Sequence, residues 1–292
     1  MKMRFNTNIP CILAFSASLM LSACGSKTQT TNDEQLMDSL LLSDTIREQV
    51  QEFVHIFPSQ LKVARLFKNA GLKFQEAELI PLTSAEKMLS KEEKSLALGM
   101  YGVDMVYSAM NGQTQHATQN LKISRDLSRD LGLESVYAEK NYVQKFEANL
   151  NNQDTLEMII QDVFAETDAF LKDNKKVDQT LFSFAGGWTE SVYLASIYAL
   201  STKNKGIVQL IGDQLVSLEP LIQLFKEYKL EKQAGSLISE LEAVRNSIRA
   251  GIVKEETDTE PMVMDMDDEK LRNLISRLQI IRQRINQPIK NQ

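Results

Sequence analysis

Leu181 to Leu200 reads LFSFAGGWTESVYLASIYAL, a largely apolar run broken at its centre by Thr189 and Glu190. It is nearly as long as a membrane-spanning helix, which takes ~20 residues. An acidic residue at the middle of such a helix costs ~2.5–3.5 kcal/mol even on lenient insertion scales. The run is therefore expected to be a central core helix. Ala185, Gly186 and Gly187 leave room for another helix to cross closely, and Trp188 is the only tryptophan in the chain. A second stretch, LALGMYGVDMVYSAM (Leu96 to Met110), has the same character. Gly99 and Gly102 sit one helical turn apart among large apolar residues, and each helix-interior glycine costs roughly 1 kcal/mol relative to alanine. Close approach of a neighbouring helix is the usual compensation. Asp104 lies in this stretch, and a buried carboxylate needs partners or loses its charge. If the two glycine-marked helices cross, Asp104 and Glu190 meet.

The rest of the chain reads as helix. Glycine and proline are scarce, 12 and 6 in 292 residues, which favours helices over a sandwich or barrel. Helical spacing is expected within Asp33–His55 and again from Ser59, a plausible N-cap after Phe57-Pro58, to Gly71. Thr83-Ser-Ala-Glu86 and Ser90-Lys-Glu-Glu93 are both capping boxes, and a helix should start at one of them and run to Asn111-Gly112. Further helices are expected over Gln113–Leu131, Ser135–Leu150, and from the Asp154-Thr-Leu-Glu157 capping box to about Lys172. Lys175–Thr202, Gly206–Lys229 (bent or restarted at Pro220), Glu231–Val253 and Asp267–Gln287 complete the series. The expected fold class is all-α: about ten mostly antiparallel helices, as stacked hairpins or a compact bundle, with no convincing strand pair. Glu255–Glu269 is acidic and carries Met262, Met264 and Met266; an acidic linker is expected near 255–266.

The N-terminus reads as a targeting signal. Lys2 and Arg4 precede an apolar run from Ile9 to Leu21, followed by the small residues Ser22 and Ala23 and then Cys24. "LSAC" resembles the lipobox of bacterial lipoproteins. The resemblance implies a signal peptide over 1–23, cleavage before Cys24, and lipid on the Cys24 sulfur. Residues 24–32 then form a polar tether, and 33–292 a single helical domain. Each buried acyl CH₂ contributes about 0.8 kcal/mol, so two or three chains anchor a domain stably. Cys11 leaves with the signal, so the two cysteines of the chain supply neither a disulfide nor a thiol nucleophile.

Several functions are disfavoured. The formal charge of −6 becomes more negative once Lys2 and Arg4 are removed, which suits neither nucleic acid nor anionic lipid heads. Two histidines do not furnish a Ser-His-Asp triad in any standard arrangement. Glu52-Phe-Val-His55 matches half of a di-iron motif, but the second copy is missing, since Gln113 precedes His116 at that offset. Neither an EF-hand loop nor a Cu(I) thioether site is the preferred reading of the methionine-rich acidic segment. No metal and no cofactor is expected.

The patches FPS (Phe57–Ser59), LGMYGVD (Leu98–Asp104) and GGW (Gly186–Trp188) are similar, in this order, to those of a family of helical lipoproteins from Gram-negative bacteria. The likeness covers roughly Phe57 to Leu200 and implies a fold and an envelope location, without catalytic residues. The leading expectation is a non-enzymatic, lipid-anchored module that binds a protein partner or acts as a scaffold. It would sit on the periplasmic face of the outer membrane, or alternatively at the cell surface. The alternative function is a carrier of a small, partly apolar ligand held between helices by Tyr101, Asp104, Tyr107, Trp188 and Glu190. A third hypothesis, hydrolysis by an Asp104–Glu190 carboxylate pair, requires a polar cleft.

Overall fold

The computed structural model describes residues 73–133, 141–149, 176–255 and 262–286, with isolated positions between 152 and 166. The signal, Cys24, the tether, the helices expected before Gly71 and the Glu52–His55 motif lie outside the described residues. So do residues 134–140 and 256–261.

The described chain is all-α apart from one small strand pair. After two 3-10 segments, Glu76–Glu78 and Leu82–Lys87, come α1 (Lys91–Met110), α2 (Thr114–Asp130), α3 (Tyr142–Ala148), α4 (Val177–Thr202), α5 (Lys205–Asp213), α6 (Leu215–Glu227) and α7 (Glu231–Arg249). The strands β1 (Ile252–Lys254) and β2 (Val263–Met264) follow, and α8 (Asp268–Asn286) closes the described chain. No described helix is long and apolar enough to cross a membrane.

Of the two capping boxes, the second starts the helix. Ser90 Oγ accepts from the Glu93 N–H at 3.0 Å, and Glu93 accepts from the Ser90 N–H at 3.1 Å. The first box is spent in the 3-10 turn at Leu82–Lys87. Gly112 (φ +70°) ends α1 with the Gln113 N–H bonded back to Ser108 O, satisfying carbonyls that the helix leaves free.

The core is organised around the crossing of α1 and α4. Both helices are buried nearly all round, as expected of elements apolar on every face. Glycines set the crossing. A Cβ on Gly99 would stand 2.6 Å from Gly187 N and collide with Ser183 O; one on Gly186 would stand 2.8 Å from the Leu96 carbonyl carbon. The backbones touch, with no side chain between them. α2 and α8 cover α1 and α4, while α5 and α6 pack on α4, and α7 on α6 and α8.

Four expectations need correction. The break in 206–229 falls at Gln214, not at Pro220, which lies inside α6. The N–H that Pro220 lacks would have bonded Val216, a surface residue. Gln214 O instead accepts from the Ser217 and Leu218 N–H groups and from the Trp188 indole at 3.4 Å, so a buried tryptophan's need for an acceptor sits at the break. Helix α7 stops at Arg249, and Ile252–Lys254 pairs antiparallel with Val263–Met264, although no strand pair was expected. The methionines of the acidic segment are anchors: Met264 and Met266 are buried, and Met262 and Met264 fill the notch at Gly212. Finally, Asn152 rather than Asp154 caps the helix near 154, its side chain accepting from the Thr155 N–H at 3.1 Å.

Candidate functional site

The α1–α4 crossing brings Asp104 and Glu190 together, as their spacing from the glycines predicts. Both carboxyls are fully buried. Arg282, from α8, grips Glu190 with two parallel bonds, Nε at 2.8 Å and a terminal nitrogen at 3.0 Å. The same guanidinium donates to Glu78 O at 2.5 Å and lies over the Tyr193 ring, 3.7 Å from its centroid. Asp104 Oδ2 accepts from the Ile80 N–H at 2.9 Å.

Two buried carboxyls share one guanidinium, so one of them holds a proton. Burial raises Asp104 far above the usual carboxylate range, and the charge of Glu190 raises it further; the Ile80 N–H and Arg282 counteract this only in part. Glu190 is also raised by burial, but Arg282 pulls it back, and so does the hydrogen bond it accepts from Asp104. Asp104 is thus the carboxyl that holds a proton more readily, and Glu190 the one that Arg282 holds toward its charged form. Asp104 Oδ1 is buried without a hydrogen-bond partner among the described residues.

These groups fasten one segment. Lys73 to Met88 runs along the C-terminal halves of α1 and α4 and against α8, and its backbone is bonded from within. Tyr198 donates to Lys73 O at 2.9 Å, and the Gln75 N–H donates to the Tyr107 hydroxyl at 3.0 Å. The Tyr107 and Tyr198 hydroxyls bond to each other. Tyr101 donates to Pro81 O at 2.8 Å, and Tyr193 to the Glu78 carboxylate at 2.6 Å. Burial pushes the Tyr193 phenol up to about 12 and raises those of Tyr101, Tyr107 and Tyr198, so all four stay protonated at neutral pH. Phe74 stacks on Tyr107 at 5.2 Å, and Leu79 and Ile80 fill the core beneath.

Of the five residues read as ligand contacts, Asp104 and Glu190 meet, while Tyr101 and Tyr107 bond the segment beside them. Trp188 lies apart, with its indole on Gln214 at the α5–α6 junction. Each of the five thus bonds to the protein itself, and both carboxyls of the pair are shut off from solvent. Sequence reading missed Arg282, Tyr193, Tyr198 and the backbone of Glu78 and Ile80. Arg282 had a legible signal: it falls on the apolar stripe of α8, four residues after Leu278 and three before Ile285. A cation on a buried stripe calls for a buried anion. Among the described residues no group of three or more His, Cys, Asp or Glu could hold a metal ion.

The shared proton makes a pH prediction. Asp104 binds its proton more tightly folded than unfolded, so its contribution is complete below the unfolded-state value and is lost as pH rises through the raised folded-state value. Asp104→Asn keeps an acceptor for Ile80 and a donor for Glu190 with nothing to ionise. Urea titrations from pH 5 to pH 9 should show stability falling with pH in the native chain and a flatter profile in the variant. Parallel profiles would remove the proton from Asp104.

Fold and site together define an all-α protein in which a buried carboxyl–carboxylate–guanidinium cluster clamps the segment before α1 onto the core. Comparison with protein-family models, with curated proteins and with solved structures returns no match to the chain.

Proposed function

We propose that the protein is a lipid-anchored helical module of the bacterial envelope that works by binding a protein partner or serving as a scaffold. Lipid on Cys24 holds it to the outer membrane, with the periplasmic face favoured over the cell surface. The observation that carries the non-carrier reading is that Tyr101, Asp104, Glu190 and Tyr193 bond to the protein itself. Their partners are Ile80, Pro81, Arg282 and Glu78, while Asp104 Oδ1, Ser108 Oγ and Thr189 Oγ1 are buried without one. Such a core suits a rigid body that works through its surface. The "LSAC" motif and the likeness to helical envelope lipoproteins support the location.

The test is mass spectrometry, native and denaturing, of the full chain extracted from the producing cell's envelope. The expected species is the chain cleaved before Cys24 and carrying acyl mass, with no additional small-molecule mass that is lost on denaturation. Cys24→Ser should lose the acyl mass and leave the membrane fraction. A cargo mass released on denaturation would replace this reading with the carrier. An unacylated chain would end the anchoring part of it.

A further inference from the structure

The segment from Lys73 to Met88 is tied to the buried cluster by its main chain. The Ile80 N–H donates to Asp104 Oδ2 at 2.9 Å, and Glu78 O accepts from the Arg282 guanidinium at 2.5 Å. The Glu78 carboxylate accepts from Tyr193, whose ring lies under that guanidinium. The apolar hold of the segment is slight: Leu79, Ile80 and Met88 are buried, and Phe74 and Ala85 only in part. Leu89, which joins it to α1, is 85 % exposed, so the joint moves without unpacking a core side chain. A segment with few apolar contacts opens at lower free energy than the packed helices beneath it.

Closure has a charge condition. With one carboxyl protonated, Asp104, Glu190 and Arg282 together are neutral. With both ionised, the fully buried pair leaves one negative charge unanswered, which is costly away from water. The titratable groups around the pair are Tyr101 and Tyr107 of α1, Tyr193 of α4, Arg282 of α8 and Glu78 of the segment, and among the described residues only Arg282 brings a positive charge. We infer that Lys73–Met88 is a proton-controlled strap, shut while the Asp104–Glu190 pair shares one proton and lifting as that proton leaves. Lifting removes Ile80 from Asp104 and admits water to it, so the new charge forms in solvent and not in dry core. Asp104 therefore binds its proton more tightly shut than open. Its contribution to closure is complete below the ordinary aspartate value and is lost as pH rises to the raised value of the shut state; between the two, the opening constant grows about tenfold per pH unit. The inference uses neither the lipid nor a partner, and so stands apart from the anchored-module reading.

Hydrogen exchange of the full chain in detergent, read by mass spectrometry from pH 5 to pH 8 and corrected for intrinsic exchange rates, tests it. Peptides within 73–88 should be at least tenfold less protected than those of α7 at every pH, and their protection should fall about tenfold per pH unit. Asp104→Asn and Glu190→Gln each leave a cluster that is neutral when shut, and each should give a level profile. At the start of the segment His116 of α2 faces Glu76 at 3.3 Å; His116→Gln is the control and should keep the slope. Protection equal to that of α7 at every pH means that the segment leaves only when the whole chain unfolds, and overturns the inference. So does a level profile in the native chain, a slope that survives Asp104→Asn, or one that vanishes in His116→Gln. The two readings on the native chain decide the matter if a variant fails to fold.

Discussion

Arg282→Met is expected to destabilise the folded chain by about 3–5 kcal/mol, because it strands Glu190 in the core without a counter-charge. Glu190 is fully buried and the Arg282 side chain 7 % exposed, so water cannot replace the lost partner. The substitution also removes the donor to Glu78 O and the cation over Tyr193, loosening the segment that runs from Lys73 to Met88. The double variant Arg282→Met, Glu190→Gln should recover a large share of the loss, since it leaves no buried charge, only an amide that Asp104 can bond. Urea unfolding followed by the fluorescence of Trp188, which is buried, gives both numbers. A single variant within ~1 kcal/mol of the native chain would mean that Glu190 takes up a proton at little cost, and that the guanidinium does not hold the site.

Gly186→Leu is expected to cost about 3 kcal/mol or more, and Gly99→Ala nearly as much. At both positions even a single carbon meets backbone atoms of the opposing helix, not a side chain able to swing aside. The only relief is to separate α1 from α4, which opens voids along the whole crossing. It also pulls Asp104 away from Glu190. Gly235→Ala serves as the control. A Cβ there meets nothing within 4 Å in the interior of α7, so the change should stabilise by roughly 0.5–1 kcal/mol. Comparable unfolding midpoints for Gly235→Ala and Gly186→Leu would show that the crossing is plastic.

The glycines and the acids were legible together. Gly99 and Gly186 are costly residues in helix interiors, and only close packing explains them. Asp104 and Glu190 interrupt apolar runs at positions that meet if those glycines touch. That reasoning needed no long-range information, because each residue announces an unmet physical requirement within its own helix. Helix ends were legible where a side chain or a left-handed glycine closes them locally, as at Ser90, Gly112 and Gly132. The break at Gln214 was not, because Pro220 is the louder local signal and an α-helix tolerates it near a surface turn. The strand pair 252–254 and 263–264 was hidden for a related reason: Met262 and Met264 pack at Gly212, on a different element.

Helical class, the core placement of Leu181–Leu200 and the pairing of two acids thus follow from residues read in order, since periodicity, glycine cost and charge burial are local quantities. Tertiary structure alone decided which cation answers those acids. Arg282 lies 92 residues from Glu190; its place on the apolar stripe of α8 marks it as a buried cation, but not which acids it meets. It likewise decided that Tyr101, Tyr107, Tyr193 and Tyr198 bond the segment before α1. Contacts of that separation are settled by which surfaces pack, and packing is a property of the whole chain.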